Sequence, residues 1–186
     1  MAIHTLSVLV ENSPGVLARV AALFSRRGYN IDSLAVGPTE DPEISRMTIV
    51  LNLEGHALDQ VSAQLFKLIN VIGIQEMKPK ESYERELLLV KVAKNDGNLS
   101  TIVSKHGARI VDDGDTPIIE AVAESDQLEA LLRDLKAYEV IELVQSGVIA
   151  LERGKMTLSE RVRQETGLSN PEDPNNKEVL TADYQN

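Results

Sequence analysis

The sequence predicts an α+β fold of two ferredoxin-like βαββαβ domains, followed by a mostly disordered acidic and polar tail. Three observations carry this prediction. Apolar residues recur with strand spacing and helical spacing in turn, the same order of elements returns after residue 80, and the apolar pattern ends near residue 153. We therefore divide the 186 residues into domains at 1–78 and 84–155 and a flexible tail at 156–186.

A strand and a helix open the first domain. The strand places apolar residues at every second position, at Leu6, Val8 and Val10. Residues 11–15 break this pattern, with Ser13 as the expected N-cap and Pro14 as the expected first helical residue. Gly28 is expected to end the helix in a left-handed conformation. The helix has one apolar stripe, formed by Leu17, Val20, Ala21 and Phe24.

Two strands, a helix and a final strand complete the first domain. We predict strands over 31–36 and 46–53, separated by the turn-forming segment 37–42. The helix is predicted from apolar residues at helical spacing, which are Leu58, Val61, Leu65 and Leu68. A last strand over 71–77 gives the order βαββαβ, the split βαβ arrangement.

The second domain repeats this order of elements with little identity between the residues. The predicted elements are strands at 87–92, 140–144 and 148–151, a helix at 99–106, a hairpin of 108–111 with 118–123, and a helix at 125–138. The stripe of the last helix consists of Leu128, Leu131, Leu132 and Leu135. Beyond it, the tail offers little apolar surface, so we expect at most a transient helix over 157–165.

Composition excludes several classes of protein. The chain has no cysteine, so disulfides, thiolate metal sites and a cysteine nucleophile are excluded. The longest unbroken apolar run, residues 20–24, is far shorter than the roughly 20 residues that span a bilayer, and no secretion signal is legible. We expect a cytoplasmic protein. A nucleic-acid partner is not expected, because basic residues form no stripe and the six aromatic residues are scattered.

Negative charge is concentrated in the middle third of the chain. The formal net charge is −10, and residues 81–152 alone hold 7 basic and 15 acidic residues, a net of −8. We interpret this excess mainly as a solvated surface that favours solubility. A sharper alternative is that acidic residues such as Glu129 and Glu142 steer the second domain toward a basic patch on a partner.

Motifs with catalytic or metal-binding chemistry do not emerge from the sequence. The segment 147–155 resembles a phosphate loop only faintly, since six residues rather than four separate its glycines. At residues 112–115 a plain turn is favoured over a Ca²⁺ or Mg²⁺ site, because Asp-Gly is a strong hairpin signal. Three histidines lie in different elements and are interpreted as structural: His4, His56 and His106. We therefore predict no catalytic residue and no metal ligand.

One segment, residues 11–16, has the properties of a ligand site. A helix start offers unpaired N–H groups and partial positive charge, which suit a carboxylate. Gly15 has no Cβ and lets a ligand approach the main chain, and Asn12 adds an amide that both donates and accepts hydrogen bonds. Taken alone, such a segment is more often an ordinary capped helix with an early glycine.

The wider pattern resembles one family. Val-Glu-Asn-Ser-Pro-Gly-Val-Leu-Ala-Arg-Val at 10–20, Phe-Ser-Arg-Arg-Gly-Tyr-Asn-Ile-Asp-Ser-Leu at 24–34 and Ser-Arg-Met-Thr-Ile at 45–49 resemble the ACT domain of the regulatory (small) subunit of acetolactate synthase. Residues 84–92 and 146–154 resemble the C-terminal, ACT-like domain of the same family. The resemblance covers residues 3–155 and leaves the tail outside.

The resemblance implies a non-catalytic subunit of a transferase in branched-chain amino-acid biosynthesis. Such a subunit activates a large catalytic subunit, in which thiamine diphosphate, Mg and FAD are expected, and confers feedback inhibition by valine. No cofactor is implied in this chain. By matching position, Asn12, Gly15 and Val16 would hold the backbone of valine, and Asn30 and Ile31 would reach it from the other chain of a homodimer.

The departures and the alternatives are specific. Residues 145–147 are Gln-Ser-Gly where the family commonly has Arg-Thr-Gly, which leaves the surface for the catalytic subunit open. A free-standing ACT-domain amino-acid sensor, acting on another enzyme or on transcription, is the alternative function. Two other ferredoxin-like classes fit less well. An acylphosphatase needs an anion-binding arginine, which 11–16 lacks, and an RNA-binding domain needs strand aromatics, which 5–10 and 44–53 lack.

Overall fold

A computed structural model describes residues 2–54 and 57–166 and confirms the predicted α+β fold of two βαββαβ modules. The first module contains β1 (Ala2–Glu11), α1 (Val16–Arg26), β2 (Ser33–Pro38), β3 (Ile44–Leu53), α2 (Ala57–Leu65) and β4 (Val71–Met77). The second contains β5 (Ser82–Val92), α3 (Leu99–Lys105), β6 (Arg109–Asp112), β7 (Ile118–Ala123), α4 (Ser125–Leu135), a 3₁₀ helix (Lys136–Tyr138), β8 (Val140–Gln145) and β9 (Ile149–Glu152). Helix α5 (Leu158–Thr166) follows.

The first sheet is antiparallel with strand order β2-β3-β1-β4, and α1 and α2 pack on one of its faces. The alternation predicted in β1 places Leu6 and Val8 opposite Ile49 and Met47 of β3 on this face. Burying each such side chain contributes roughly 1.5–3 kcal/mol. The helices contribute six further side chains to this core, which are Val16, Val20, Leu23, Phe24, Val61 and Leu65.

The second sheet has strand order β6-β7-β5-β8, with its own core under α3 and α4. Strand β5 pairs with two different strands along the same edge. Its first residues pair with β9, with Ser82 opposite Glu152, and its later residues pair with β8, with Leu88 opposite Gln145. The predicted β6–β7 hairpin is confirmed by their antiparallel pairing. The two modules therefore share no sheet, and β5 with β9 forms a ribbon between them.

The start of α1 differs from the sequence prediction. The helix begins at Val16 rather than Pro14, and Gly15 rather than Ser13 is its N-cap. Because Gly15 has a φ of +85°, in the left-handed region, helical geometry can begin only after it. Ser13 instead contributes its carbonyl, which accepts the N–H of Val16 at 3.4 Å. At the other end the prediction is confirmed, since Gly28 has a φ of +69°.

The face of the first sheet opposite α1 and α2 is also covered, which strand alternation alone does not predict. Ser7 and Leu9 lie on this face and are fully buried. Strand β9 contacts β1 and β4 on this side, and helix α5 contacts β4. A Cβ on Gly73, which pairs with Leu9, would collide with the side chain of Val162 in α5. Both faces of this sheet are therefore interior surfaces.

Helix α5 lies where the sequence predicts a tail with at most a transient helix. Thr157 and Glu160 cap its start reciprocally. The Thr157 N–H donates to Glu160 Oε2 at 2.8 Å, and the Glu160 N–H donates to Thr157 Oγ1 at 3.1 Å. Hydrogen bonds from the main-chain N–H and the hydroxyl of Thr157 lower the pKa of the Glu160 carboxyl. The start of α5 is therefore stabilised by hydrogen bonds within the helix itself.

Besides Val162, two residues of α5 dock it onto the rest of the chain. Leu158 is buried, and Arg161 donates two hydrogen bonds to the Glu152 carboxylate at 2.8 and 2.9 Å. A hydrogen bond from Gln75, followed by those from Arg161, lowers the pKa of Glu152. The predicted tail beyond this helix, residues 167–186, lies outside the described residues. No helix in the part of the chain that the structure describes is long and apolar enough to cross a membrane.

Candidate functional site

The turn that joins β1 to α1 exposes the main chain at Gly15. Its φ of +85° is a conformation that L side chains rarely adopt, and a Cβ built there would meet no atom within 4 Å. The neighbouring residues 11–14 are also exposed. A ligand can therefore lie directly against the main chain at this position.

The start of α1 has no negative group of its own. No side chain caps it, and its first turn contains no acidic residue. The first helical hydrogen bond runs from the Arg19 N–H to the Gly15 carbonyl at 3.0 Å, so the N–H groups of Leu17 and Ala18 have no acceptor within the helix. These donors and the helix dipole favour an anion by about 0.3–1 kcal/mol at an exposed site. A carboxylate fits this arrangement.

A buried asparagine from outside the turn holds the turn in place. The main-chain carbonyl of Asn70 accepts the N–H of Glu11 at 2.9 Å, and its Oδ1 accepts a hydrogen bond from Arg19 Nη1 at 2.7 Å. The Asn70 Nδ2 donates to the Glu11 carboxylate. Sequence reasoning missed Asn70, because its partners lie 51 and 59 positions away and a single loop asparagine has no periodicity.

Asn12 ties the turn to the loop between β2 and β3. Its side-chain Nδ2 donates to the carbonyl of Pro42 at 2.8 Å, and its main-chain N–H donates to the carbonyl of Glu43 at 2.6 Å. An asparagine amide has a second N–H and a carbonyl oxygen, so this contact does not use every hydrogen bond that Asn12 can form. Asn12 therefore both shapes the turn and lines it.

The other three predicted site residues, Val16, Asn30 and Ile31, differ in which of their groups are available to a ligand. Val16 is buried in the first core, so it offers only its main chain to the turn. Strand β2 begins at Ser33, two residues later than predicted, and Asn30 and Ile31 precede it. The Asn30 Nδ2 donates to Asp32 Oδ1 at 2.7 Å, and Ile31 packs partly buried against the first core.

The structure brings the predicted residues together in two groups, not one. Asn12, Gly15 and Val16 lie at the start of α1, whereas Asn30 and Ile31 lie beyond its end. The 11 residues of α1 span about 16 Å, which is more than one amino acid can bridge. Cavities of about 190–500 Å³ elsewhere in the described part of the chain are lined by other residues.

Comparison with known proteins decides the family. Residues 6–73 match the family model described as AHAS small subunit-like ACT domain, and residues 85–154 match the small subunit of acetolactate synthase. The acetolactate synthase small subunit of Mycobacterium leprae is 52% identical over 155 residues, covering 81% of this chain and 92% of that protein. The chain belongs to the acetolactate synthase small subunit family. The small subunit of Mycolicibacterium smegmatis is also 52% identical over 155 residues, covering 81% and 91% of the two chains.

A solved structure supports the same family in three dimensions. The crystal structure of the acetolactate synthase small subunit from Thermotoga maritima matches this chain with a TM-score of 0.77 at 32% identity. The match covers 84% of this chain and 100% of that one. In this member of the family, the first module is therefore the ACT domain.

The two described histidines of this family member each contact one carboxylate. His4 Nδ1 lies 2.7 Å from Glu76 Oε1, and His106 Nε2 lies 2.8 Å from Asp134 Oδ2. Hydrogen bonds from Lys105 and His106 lower the pKa of Asp134 to about 2. The third, His56, lies outside the described residues. Within the described ranges, no group of three or more His, Asp or Glu side chains could hold a metal ion.

The two faint motifs of the second module have ordinary structural explanations. At 112–115, Asp112 Oδ1 accepts the N–H of Gly114 at 3.1 Å within the β6–β7 connection, which is the predicted turn. Between Gly147 and Gly154 the chain forms the extended strand β9 rather than a loop. Neither segment has the shape of a phosphate or cation site.

Proposed function

We propose that this chain is the non-catalytic regulatory subunit of acetolactate synthase, which activates the large catalytic subunit and makes it sensitive to valine. Family membership supports the choice of partner, because the relatives are named as small subunits of that enzyme. In the proposed complex, thiamine diphosphate, Mg²⁺ and FAD are held by the large subunit. This chain contributes no catalytic residue.

A single observation supports the ligand, namely the uncapped start of α1 beside the open Gly15. The carboxylate of valine would accept hydrogen bonds from the N–H groups of the first turn, and Asn12 would contact its polar end. The turn recognises the part that all amino acids share. Selection among branched-chain side chains is a separate matter, because one methylene changes binding by only about 1–3 kcal/mol.

A homodimer would complete the site. Since α1 separates Asn30 and Ile31 from Gly15 by about 16 Å within one chain, we propose that these two residues come from the second chain. Strand β2 supports this arrangement because it lies at the edge of the first sheet, where its outer main-chain groups can pair with another strand. Asn30 and Ile31 directly precede that edge strand.

Inhibition then follows from linkage between two binding events. Valine can inhibit only if it binds the less active arrangement of the complex more tightly than the active one. By the same linkage, valine must alter the affinity between the two subunits or the balance of states within their complex. The chain therefore acts on the catalytic subunit without touching its substrate.

The proposed function is tested by mixing the purified chain with its large subunit and following acetolactate formation from pyruvate as valine is added. We expect no turnover by the chain alone, a higher rate for the mixture than for the large subunit alone, and loss of that gain with valine. Turnover by the chain alone would contradict a non-catalytic role. Valine binding without any association with the large subunit would favour a free-standing sensor.

A further inference from the structure

One sheet surface between the modules combines exposed apolar side chains with arginines. In the ribbon of β5 and β9, Tyr83 pairs with Leu151 and Arg85 pairs with Ile149, so all four side chains lie on one face. We call these four residues the tyrosine–arginine face. Tyr83, Ile149 and Leu151 are 47%, 61% and 61% exposed. Clustered exposure of large apolar side chains marks interaction surfaces, whereas isolated exposed ones are ordinary.

Arginines surround the aromatic ring of this face. The guanidinium carbons of Arg85 and Arg153 each lie 4.3 Å from the centroid of the Tyr83 ring, and Arg46 from β3 lies beside the same cavity. Two glutamates accompany them, since Arg85 pairs with Glu124 at 3.2 Å and Glu40 lines the cavity. Positive charge still exceeds negative here, in a chain of net charge −10. Tyrosine and arginine are among the residue types enriched at binding hot spots.

The tyrosine–arginine face forms one wall of a cavity of about 480 Å³. The opposite wall is the end of β2 and the following residues of the first module, Pro38, Thr39 and Glu40. The cavity admits a side chain, while Ile149 and Leu151 remain exposed around it and need a larger apolar partner surface. A protein segment satisfies both conditions, whereas a small anion would leave the apolar side chains in water.

We propose that the tyrosine–arginine face docks the large subunit, through an apolar segment whose carboxylate enters the cavity beside Arg46 and Arg85. This inference rests on the proposed function, because it takes the large subunit as the partner. The charges are opposite to those of the alternative drawn from the acidic middle third. Here this chain supplies the basic residues and the partner supplies the carboxylate. Glu129 lies 3.9 Å from Arg133, and Glu142 lies 3.2 Å from Lys91, so both candidate steering residues already face a cation within the chain.

The docking surface lies one loop away from the proposed valine site. Residues 38–40 line the cavity, and Pro42 and Glu43 in the same loop accept the hydrogen bonds of Asn12. A partner that binds against residues 38–40 therefore contacts the same loop whose Pro42 and Glu43 hold Asn12 in position. This loop provides a physical connection between partner binding and valine binding.

The test compares the affinity of full-length variants for the large subunit, measured at low and at physiological salt. We expect Leu151→Ser and Arg46→Glu each to weaken binding about tenfold or more. The defect of Arg46→Glu should shrink as salt is added, because salt screens charge pairs. Matched controls lie elsewhere: Ile69→Ser removes an apolar side chain that is 66% exposed, and Arg133→Glu reverses an exposed arginine of α4. Each control should change affinity by less than about twofold.

Each outcome separates this inference from the proposed function. Variants that bind the large subunit as tightly as the wild type would overturn the docking surface. A wild-type chain that fails to bind the large subunit would instead overturn the proposed partner. A change in the self-association of the isolated chain by Leu151→Ser would assign the face to contacts between copies and also overturn the inference. Circular dichroism and thermal unfolding of each variant establish that it is folded, and Ile149→Ser repeats the test at a second position.

Discussion

At the scale of single residues, Gly15 is the position on which the proposed ligand site depends most. Its φ of +85° means that any side chain there adds strain of about 1–2 kcal/mol. An aspartate would also fill the open space and place negative charge against the carboxylate of valine. We expect Gly15→Asp to abolish valine binding, measured by titration calorimetry, while the chain remains folded.

The matched control for this substitution is Gly107→Asp. Gly107 also has a left-handed φ, of +65°, and open space around it, but it lies just after α3 in the second module. The substitution at Gly107 adds the same kind of backbone strain but lies outside the proposed site. The Gly107→Asp chain should therefore bind valine with the affinity of the wild type. Undiminished valine affinity in Gly15→Asp would remove the turn from consideration as the ligand site.

A second residue-scale prediction concerns Asp134, which joins α4 to the end of α3. Lys105 Nζ and His106 Nε2 both lie 2.8 Å from its Oδ2, and these hydrogen bonds lower its pKa to about 2. Because the pKa is lower in the folded than in the unfolded chain, the carboxylate adds stability above about pH 4, and this contribution is lost as the pH falls toward 2. Asp134→Asn should therefore lower the melting temperature at pH 7.

The pH dependence separates this interaction from a general packing defect. The difference between wild type and Asp134→Asn should close between about pH 4 and pH 2, where the wild-type carboxylate becomes protonated. Asp126→Asn, in the first turn of the same helix, removes a carboxylate without these partners and serves as the control. A melting-temperature loss that is constant from pH 7 to pH 2 would contradict the assigned role of Asp134.

At residue scale, the sequence indicates the site residues that lie within one short segment, but it does not indicate the distant residue that holds this segment in place. Asn12 and Gly15 could be selected because a helix start, a glycine and an amide lie within one short segment. The left-handed φ of Gly15 could not be predicted, because Ser13 and Pro14 are signals for an earlier helix start. In the structure, this φ moves the start of α1 to Val16. Asn70 was out of reach, since its role depends on contacts that only the folded chain creates.

At the scale of elements, α5 changes the expectation for truncation. The sequence alone predicts that a chain ending at Lys155 keeps its melting temperature. In the structure such a chain loses Leu158, which is buried, and the ion pair of Arg161 with Glu152. We expect this truncation to destabilise the fold by about 2–3 kcal/mol, seen as a lower midpoint in thermal unfolding. A chain ending at Thr166 keeps α5 and these contacts, so it should unfold at a higher midpoint than the chain ending at Lys155.

The elements show which sequence signals suffice. Strand β4 spans the predicted residues 71–77, because the short apolar stretch at its start is a signal within the strand itself. Helix α5 also had a legible signal, the capping-box spacing of Thr157 and Glu160. No sequence signal indicates where α5 docks. A helix with few apolar residues does not reveal that Val162 packs into the space left by the missing side chain of Gly73. Contacts between distant elements are the part that periodicity cannot supply.

At the scale of the whole molecule, the acidic excess gives a prediction of its own. Glu129 and Glu142 are exposed and face Arg133 and Lys91, and exposed pairs of this kind contribute little to stability. If the excess only solvates the surface, reversing both glutamates to lysine leaves the rate of association with the large subunit unchanged at low salt. Slower association at low salt that recovers at high salt would restore the steering hypothesis.

The two modules are in close contact at Gly147. A Cβ there would lie 2.5 Å from the carbonyl oxygen of Leu34 and 2.9 Å from the main-chain nitrogen of Ala35, both in β2. The adjacent Val148 N–H donates to Ser33 Oγ at 2.8 Å. Since the obstructing atoms belong to the main chain of a strand, a rotamer change cannot make room for a side chain. The glycine of residues 145–147 therefore keeps the second module against the strand that follows Asn30 and Ile31.

We expect Gly147→Ala to lift this loop from β2 and to destabilise the contact by about 1–3 kcal/mol. Because the contact joins the modules, its loss should reduce the cooperativity of unfolding, so that the calorimetric enthalpy exceeds the van't Hoff enthalpy. Gly97→Ala is the matched control, since a Cβ at Gly97 meets no atom within 4 Å and no left-handed φ is required. A Gly147→Ala chain that unfolds in one transition at the wild-type temperature would show that the modules do not depend on this approach.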